Sequence, residues 1–360
     1  MTTRKSIYYW KSDRPFAEAN TQNFNDNRVE LEFLLINYIR DYFADQQVEI
    51  EAAGGQGNHI TYIARSKSET YFVRIENGPE NDNYMAVESA ILQKVSSVGV
   101  KTPKVFHTDV TRKLVPFAVQ IMEFITEKDL NHNDKYGELE LVKLGYLIGQ
   151  NIAKWQVIKP AKFGLFNVEV FVKEGKLEGY HDTYRDYFYL NLDIHLNYLV
   201  ESGFLESSKM ERIEKLIDEH DDLLDLPQGC LVHKDLALWN ILGDEKEIRA
   251  FIDWDDAMSG NRMDDIALLA CFQGGEFITA IFEGYSSIAV LPPDYTAQFW
   301  LHLLRNMIFK AVIRVKGNYF DRNKSFFLNS AKNGDLKRFT LDRIDLAISG
   351  LENNLSIQSL

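Results

Sequence analysis

His233, Asp235 and Asn240 stand in the spacing H-x-D-x-x-x-x-N, and Asp253 closes the apolar run RAFID thirteen residues after Asn240. A carboxylate, an amide and a second carboxylate in that order suit phosphoryl transfer. One acidic group accepts or orients a hydroxyl proton, while the amide and the other carboxylate hold a cation that bridges nucleotide phosphates. Each residue also has an ordinary alternative: an H-x-D pair arises by chance, Asn240 could end a turn, and Asp253 could cap the next helix. All four stand in order on a frame of strand, loop, strand, turn and strand across residues 231–267, which favours the chemical reading.

Two segments, HKDLALWNIL and IDWDDAMSGNRMDDIA, resemble the signature of the aminoglycoside phosphotransferase and choline kinase-like family, small-molecule kinases related in fold to protein kinases. Lys234 stands where that family usually has glycine, Asn261 and Arg262 replace its Asp-Pro, and Asp265 falls on its last acidic position, which braces the catalytic loop. The resemblance covers roughly residues 50–290. It implies an α+β, protein kinase-like fold of two lobes, with a small antiparallel sheet in the first and mostly helices in the second. It also implies ATP or GTP as co-substrate with Mg²⁺, Asp235 as the catalytic base, and Asn240 and Asp253 as metal ligands. His233 then anchors the loop, since Asp235 already fills the base position.

Other elements must position these groups. Ahead of two alternating runs, ITYIA and TYFVRI, lies a glycine-rich segment with Gly54, Gly55, Gly57 and Asn58. Glycine lets backbone amides approach phosphates, although such a cluster is more often a plain turn. The family places its nucleotide loop at this point. Arg74, in the second run, occupies the position of the kinase strand lysine, and Glu88, in the helical stretch of residues 82–99, is its expected ion-pair partner. Residues 115–125 form a nearly continuous apolar strand, and Glu123 and Phe124 at its end resemble the connector that meets the adenine edge. The polar run 126–138 marks the expected lobe boundary, giving an arm, helix and β-rich nucleotide-binding lobe over 1–125 and a helical lobe with catalytic loop and substrate site over 126–360.

Residues 1–27 show no clear period and read as an extended arm. Residues 29–44 carry apolar positions at helical intervals. Beyond 138 the chain turns helical, with amphipathic segments at 139–158, 183–204 and 207–224 and three more after the catalytic stretch. Tyr184, Tyr187 and Tyr198 could cage a quaternary amine, but aromatic residues at helical spacing are more often core.

The 360 residues are 45% hydrophobic and 26% charged, an ordinary composition long enough for two lobes. No apolar run is long enough to span a bilayer and the first residues lack an export signal's apolar core, so a cytoplasmic location is expected. Cys230 and Cys271 read as buried thiols. A net charge of −13 argues against nucleic acid as a partner.

The acceptor is less legible. Asp255 and Asp256 could meet the amines of an aminoglycoside-like molecule, or could be solvated loop residues or helix caps. Choline, a sugar, a macrolide or an amino alcohol fit the same chemistry. Two readings of another kind are a protein Ser/Thr kinase and an inactive nucleotide-binding module. Only eleven residues separate Asp253 from Asp265, too few for a long activation segment.

Overall fold

The computed structural model describes residues 4–14, 28–53, 59–76, 81–131, 138–244, 246–322 and 335–360. The arm is not extended where it is described. A 3₁₀ turn, Arg4–Ser6, leads to a single helical turn, α1 (Trp10–Asp13). Asp13 sets this shape: its Oδ2 accepts the Tyr8 amide at 2.8 Å, while its Oδ1 meets His195 Nε2 at 2.7 Å. The contacts that fold the arm come from distant residues, which is why no local period announces it.

Helix α2 (Arg28–Phe43) packs Leu35, Tyr38 and Ile39 against a sheet of five short strands. These are β1 (Glu49–Ala52), β2 (His59–Arg65), β3 (Thr70–Glu76), β4 (Val105–Asp109) and β5 (Val119–Glu123), all antiparallel, in the order β1-β2-β3-β5-β4. Alternation puts Val73 and Ile75 into this core with Val119 and Ile121 of the neighbouring strand. Helix α3 (Tyr84–Ser97) lies between β3 and β4 and turns Val87, Ile91 and Val95 into the larger core beyond the sheet.

The rest is a mostly helical lobe. Helix α4 (Glu138–Trp155) is followed by β6 (Phe163–Phe166), α5 (Val168–Glu174), β7 (Gly179–His181), α6 (Tyr184–Phe188), α7 (Leu192–Glu201) and α8 (Ser207–Glu219). Strands β8 (Cys230–Val232), β9 (Ile241–Gly243), β10 (Ile248–Phe251) and β11 (Met258–Gly260) then lead into α9 (Asp264–Ala270), α10 (Gly275–Ser286), α11 (Tyr295–Lys316) and α12 (Leu336–Asn353). β9 and β10 form a hairpin, and β7-β6-β11-β8 form a second antiparallel sheet. The architecture is the two-lobed α+β, kinase-like fold expected. Two close backbone approaches lock α4 to α10. A Cβ on Gly149 would lie 2.0 Å from the Ile281 carbonyl oxygen, and one on Gly284 would lie 1.9 Å from that of Tyr146.

One segment departs from its periodicity. Residues 183–204 read as one helix but form α6 and α7, separated at Asn191, whose φ is +59°. Arg305 of α11 is completely buried and takes the freed carbonyls of Phe188 and Leu190 at 3.0 and 2.8 Å, doing what a further helical turn would have done. Tyr184 and Tyr187 are core residues, packed against His302 and Tyr8, so they form no amine cage. Cys230 and Cys271 are both buried thiols. Among the described residues, no helix is long and apolar enough to cross a membrane.

Candidate active site

The loop between β8 and β9 carries His233, Asp235 and Asn240, and Asp253 follows β10. Burial and hydrogen bonding fix this loop from beneath. Asp265, at the start of α9, accepts the amides of His233 at 3.0 Å and Lys234 at 3.1 Å, and the Trp155 indole at 3.2 Å. His233 is fully buried against Trp254, and burial pushes its pKa down to about 4. Its Nε2 lies 2.9 Å from the Ile252 carbonyl and so carries the proton; Nδ1 is then free to accept the Asp235 amide at 3.3 Å. A neutral imidazole with both nitrogens engaged in this way ties the Asp235 loop to the strand before Asp253.

Asn240 Nδ2 donates to the Asp235 carbonyl at 2.8 Å and to Asp235 Oδ2 at 3.1 Å. With the amide nitrogen so used, its carbonyl oxygen is the atom left for a cation. Asp235 Oδ1 faces Lys310 Nζ of α11 at 3.0 Å and the Tyr9 hydroxyl at 2.6 Å. Burial would raise the Asp235 carboxyl, but the Lys310 ammonium and these hydrogen bonds outweigh it and hold the group below its usual range, hence ionised at neutral pH. Asp253 sits at φ +62°, a left-handed conformation costly for a residue with a Cβ. Burial raises its carboxyl, Arg74 opposes that, and Asp235 and Asp255 add to it.

Arg74 projects from β3 and is buried between three partners. It pairs with Glu88 of α3, donates from Nε to Gln120 on the neighbouring strand at 3.0 Å, and lies with Nη1 3.7 Å from Asp253 Oδ1. Glu88 also accepts the Trp254 amide at 3.1 Å, so one glutamate joins α3, the sheet and the segment after Asp253. These groups form the polar end of a cavity of about 310 Å³ between sheet and helices. Its walls are apolar, with Phe72, Leu92, Met122, Leu242 and Ile252, and Glu123 and Phe124 line its edge. Apolar walls with a few convergent polar groups suit a base and its phosphates. Asn240 and Asp253 offer the hard oxygen donors that Mg²⁺ takes.

Gly54, Gly55, Gly57 and Asn58 lie outside the described residues. Asp255 and Asp256 are not solvated loop residues: both are buried against the arm. Arg4 Nη1 donates to the Asp255 carbonyl at 2.9 Å and Nη2 reaches its carboxylate at 3.3 Å, while the Trp10 amide donates to Asp256 at 3.2 Å. Burial and the nearby Asp255 and Asp235 push the Asp256 carboxyl up to about 8. Lys234 turns inward at φ +66° and its ammonium, fully buried, meets Asp264, Asn306 and the Tyr8 hydroxyl at 2.9–3.1 Å.

Sequence reasoning missed Tyr9, Gln120 and Lys310. A signal for Lys310 existed, since Lys310 stands between the apolar triplets MIF and AVI of α11 and a cation there needs a buried partner. Gln120, likewise, is a polar residue inside a strand of otherwise apolar neighbours.

A sheet-capped helical lobe with this cleft defines a kinase-like phosphotransferase. The chain belongs to the phosphotransferase enzyme (APH) family, whose model matches residues 49–297. Among solved structures it is similar to the aminoglycoside phosphotransferase APH(4)-Ia at 15% identity, covering 88% of this chain and 98% of that one with a TM-score of 0.61. It is also similar to a putative aminoglycoside phosphotransferase from Ralstonia eutropha JMP134 (14% identity, 89% and 98% covered, TM-score 0.62). A putative fructosamine-3-kinase from Haemophilus somnus 129PT shares the fold as well (14% identity, 86% and 96% covered, TM-score 0.55). A search of curated proteins finds no match.

Proposed function

We infer that this chain transfers the γ-phosphoryl group of ATP or GTP to a hydroxyl of a small polar molecule. The observation that carries this is the meeting of Arg74, Asn240 and Asp253 at the polar end of one apolar-walled cavity, with Asp235 hydrogen-bonded to Asn240. Asp235, ionised and fixed by its loop, takes or orients the acceptor's proton. Asn240 and Asp253 hold Mg²⁺, which neutralises charge on the phosphates when bound. Arg74, positioned by Glu88 and Gln120, fixes the triphosphate, and Glu123 and Phe124 meet the base. His233 and Asp265 keep the loop in place. The proposed lobes, 1–125 and 126–360, meet at this cleft, with the arm as the exception: its partners Tyr187, Asn191 and His195 lie in the second.

For the acceptor, one APH(4)-Ia structure holds ADP and hygromycin B. An aminoglycoside-like acceptor is therefore the first class to try, with sugars, choline, macrolides and amino alcohols beside it. Asp255 and Asp256 are engaged by the arm, so they recruit an amine only if the arm yields. The test is a screen of ADP release and thermal stabilisation over these compounds, with ATP and GTP in parallel. Magnesium-dependent ADP release stimulated by one compound class is expected; turnover only with a protein substrate would overturn the small-molecule reading.

A further inference from the structure

The arm places a hydroxyl where the proposed reaction needs one. Tyr9 Oη donates to Asp235 Oδ1 at 2.6 Å, the contact a nucleophilic hydroxyl makes with its base. Among the described residues no other side-chain hydroxyl is hydrogen-bonded to Asp235. Lys310 Nζ lies 3.0 Å from the same carboxylate oxygen and 3.3 Å from Tyr9 Oη.

This is not a loose surface contact. Tyr9 is 2% exposed and its ring stacks on Phe309 with centroids 4.5 Å apart. The flanking backbone is held on both sides: the Tyr187 hydroxyl donates to the Tyr8 carbonyl at 2.6 Å, and the Trp10 amide to Asp256. Arg4 pins the start of the arm between Asp82 and Asp255 at 2.6 and 3.3 Å. The arm thus covers the acceptor side of Asp235, while Asn240 on the other carboxylate oxygen faces the nucleotide cavity.

We propose that Tyr9 is a phosphoryl acceptor for this chain's own active site, modified within the same molecule. Tyr9 Oη forms a bond to the γ-phosphorus as the bond from that phosphorus to the β–γ bridging oxygen breaks. The bonding electron pair leaves on ADP, and the phenolic proton passes to Asp235. The product carries close to two negative charges beside the Lys310 ammonium and the Asp235 carboxyl.

Since this rests on the kinase reading, the experiment separates the two. The full chain, treated with phosphatase and checked by intact mass, is incubated with Mg²⁺ and ATP or GTP and no added acceptor. Thermal shift reports nucleotide binding in the same samples, and peptide mass spectrometry locates phosphate. One phosphate on Tyr9 is expected, at a fractional rate independent of protein concentration. It should be missing in Tyr9→Phe and slowed about a hundredfold or more in Asp235→Asn while nucleotide still binds. Bound nucleotide with an unmodified Tyr9, or a rate that rises with protein concentration, overturns this inference alone. Absence of nucleotide binding overturns the kinase reading and this inference with it.

Discussion

His233 illustrates how a buried neutral base contributes to stability. Its pKa falls from an ordinary value near 6.5 to about 4 because burial disfavours the imidazolium. Between those values the unfolded chain takes up a proton that the folded one refuses. The stabilisation is therefore complete above pH 6.5 and is lost as pH falls through 4. Urea unfolding should show the wild-type chain losing roughly 2–3 kcal/mol more than His233→Gln between pH 6.5 and 4.5. Equal losses would place the titration elsewhere. Lys234 makes a related point: the residue that stands in place of the family's usual glycine is a buried ammonium, neutralised by Asp264. The sequence exposes the substitution but not its direction, because the left-handed backbone that would suit glycine also determines where a longer side chain turns.

Among the elements, the strands around the catalytic loop were legible because their apolar runs are short and bounded by polar turns. Strand β3 with Arg74 was legible for the same reason, and helix α3 with Glu88 because its apolar residues recur at helical spacing. The break between α6 and α7 was not, since it depends on Arg305, more than a hundred residues later, supplying donors to Phe188 and Leu190. The folded arm was illegible on similar grounds: Asp13, Asn191 and His195 meet only in three dimensions. Packing of α4 on α10 gives a prediction at this scale. Gly149→Ala places a methyl against the Ile281 backbone carbonyl, which cannot swing aside as a side chain would. A loss of about 1–3 kcal/mol on chemical denaturation is expected, from overpacking. Unchanged stability would mean that the two helices are not held at this distance.

In the whole molecule, one cavity collects groups from the sheet, α3 and the segments around β9 and β10, while α11 and the arm meet Asp235 through Lys310 and Tyr9. Glu88 touches two of these assemblies at once, through Arg74 and the Trp254 amide, so Arg74 and the segment after Asp253 are coupled to the placement of α3. The arm, which reaches Asp235 through Tyr9, lies outside the matched family region, which begins at residue 49. The proposed chemistry centres on a single carboxylate. The most direct test is magnesium-dependent ADP formation by wild-type and Asp235→Asn chains, with any acceptor found in the screen, alongside nucleotide affinity. The account predicts turnover reduced by about a hundredfold or more, with affinity nearly unchanged. Wild-type turnover in Asp235→Asn would contradict it.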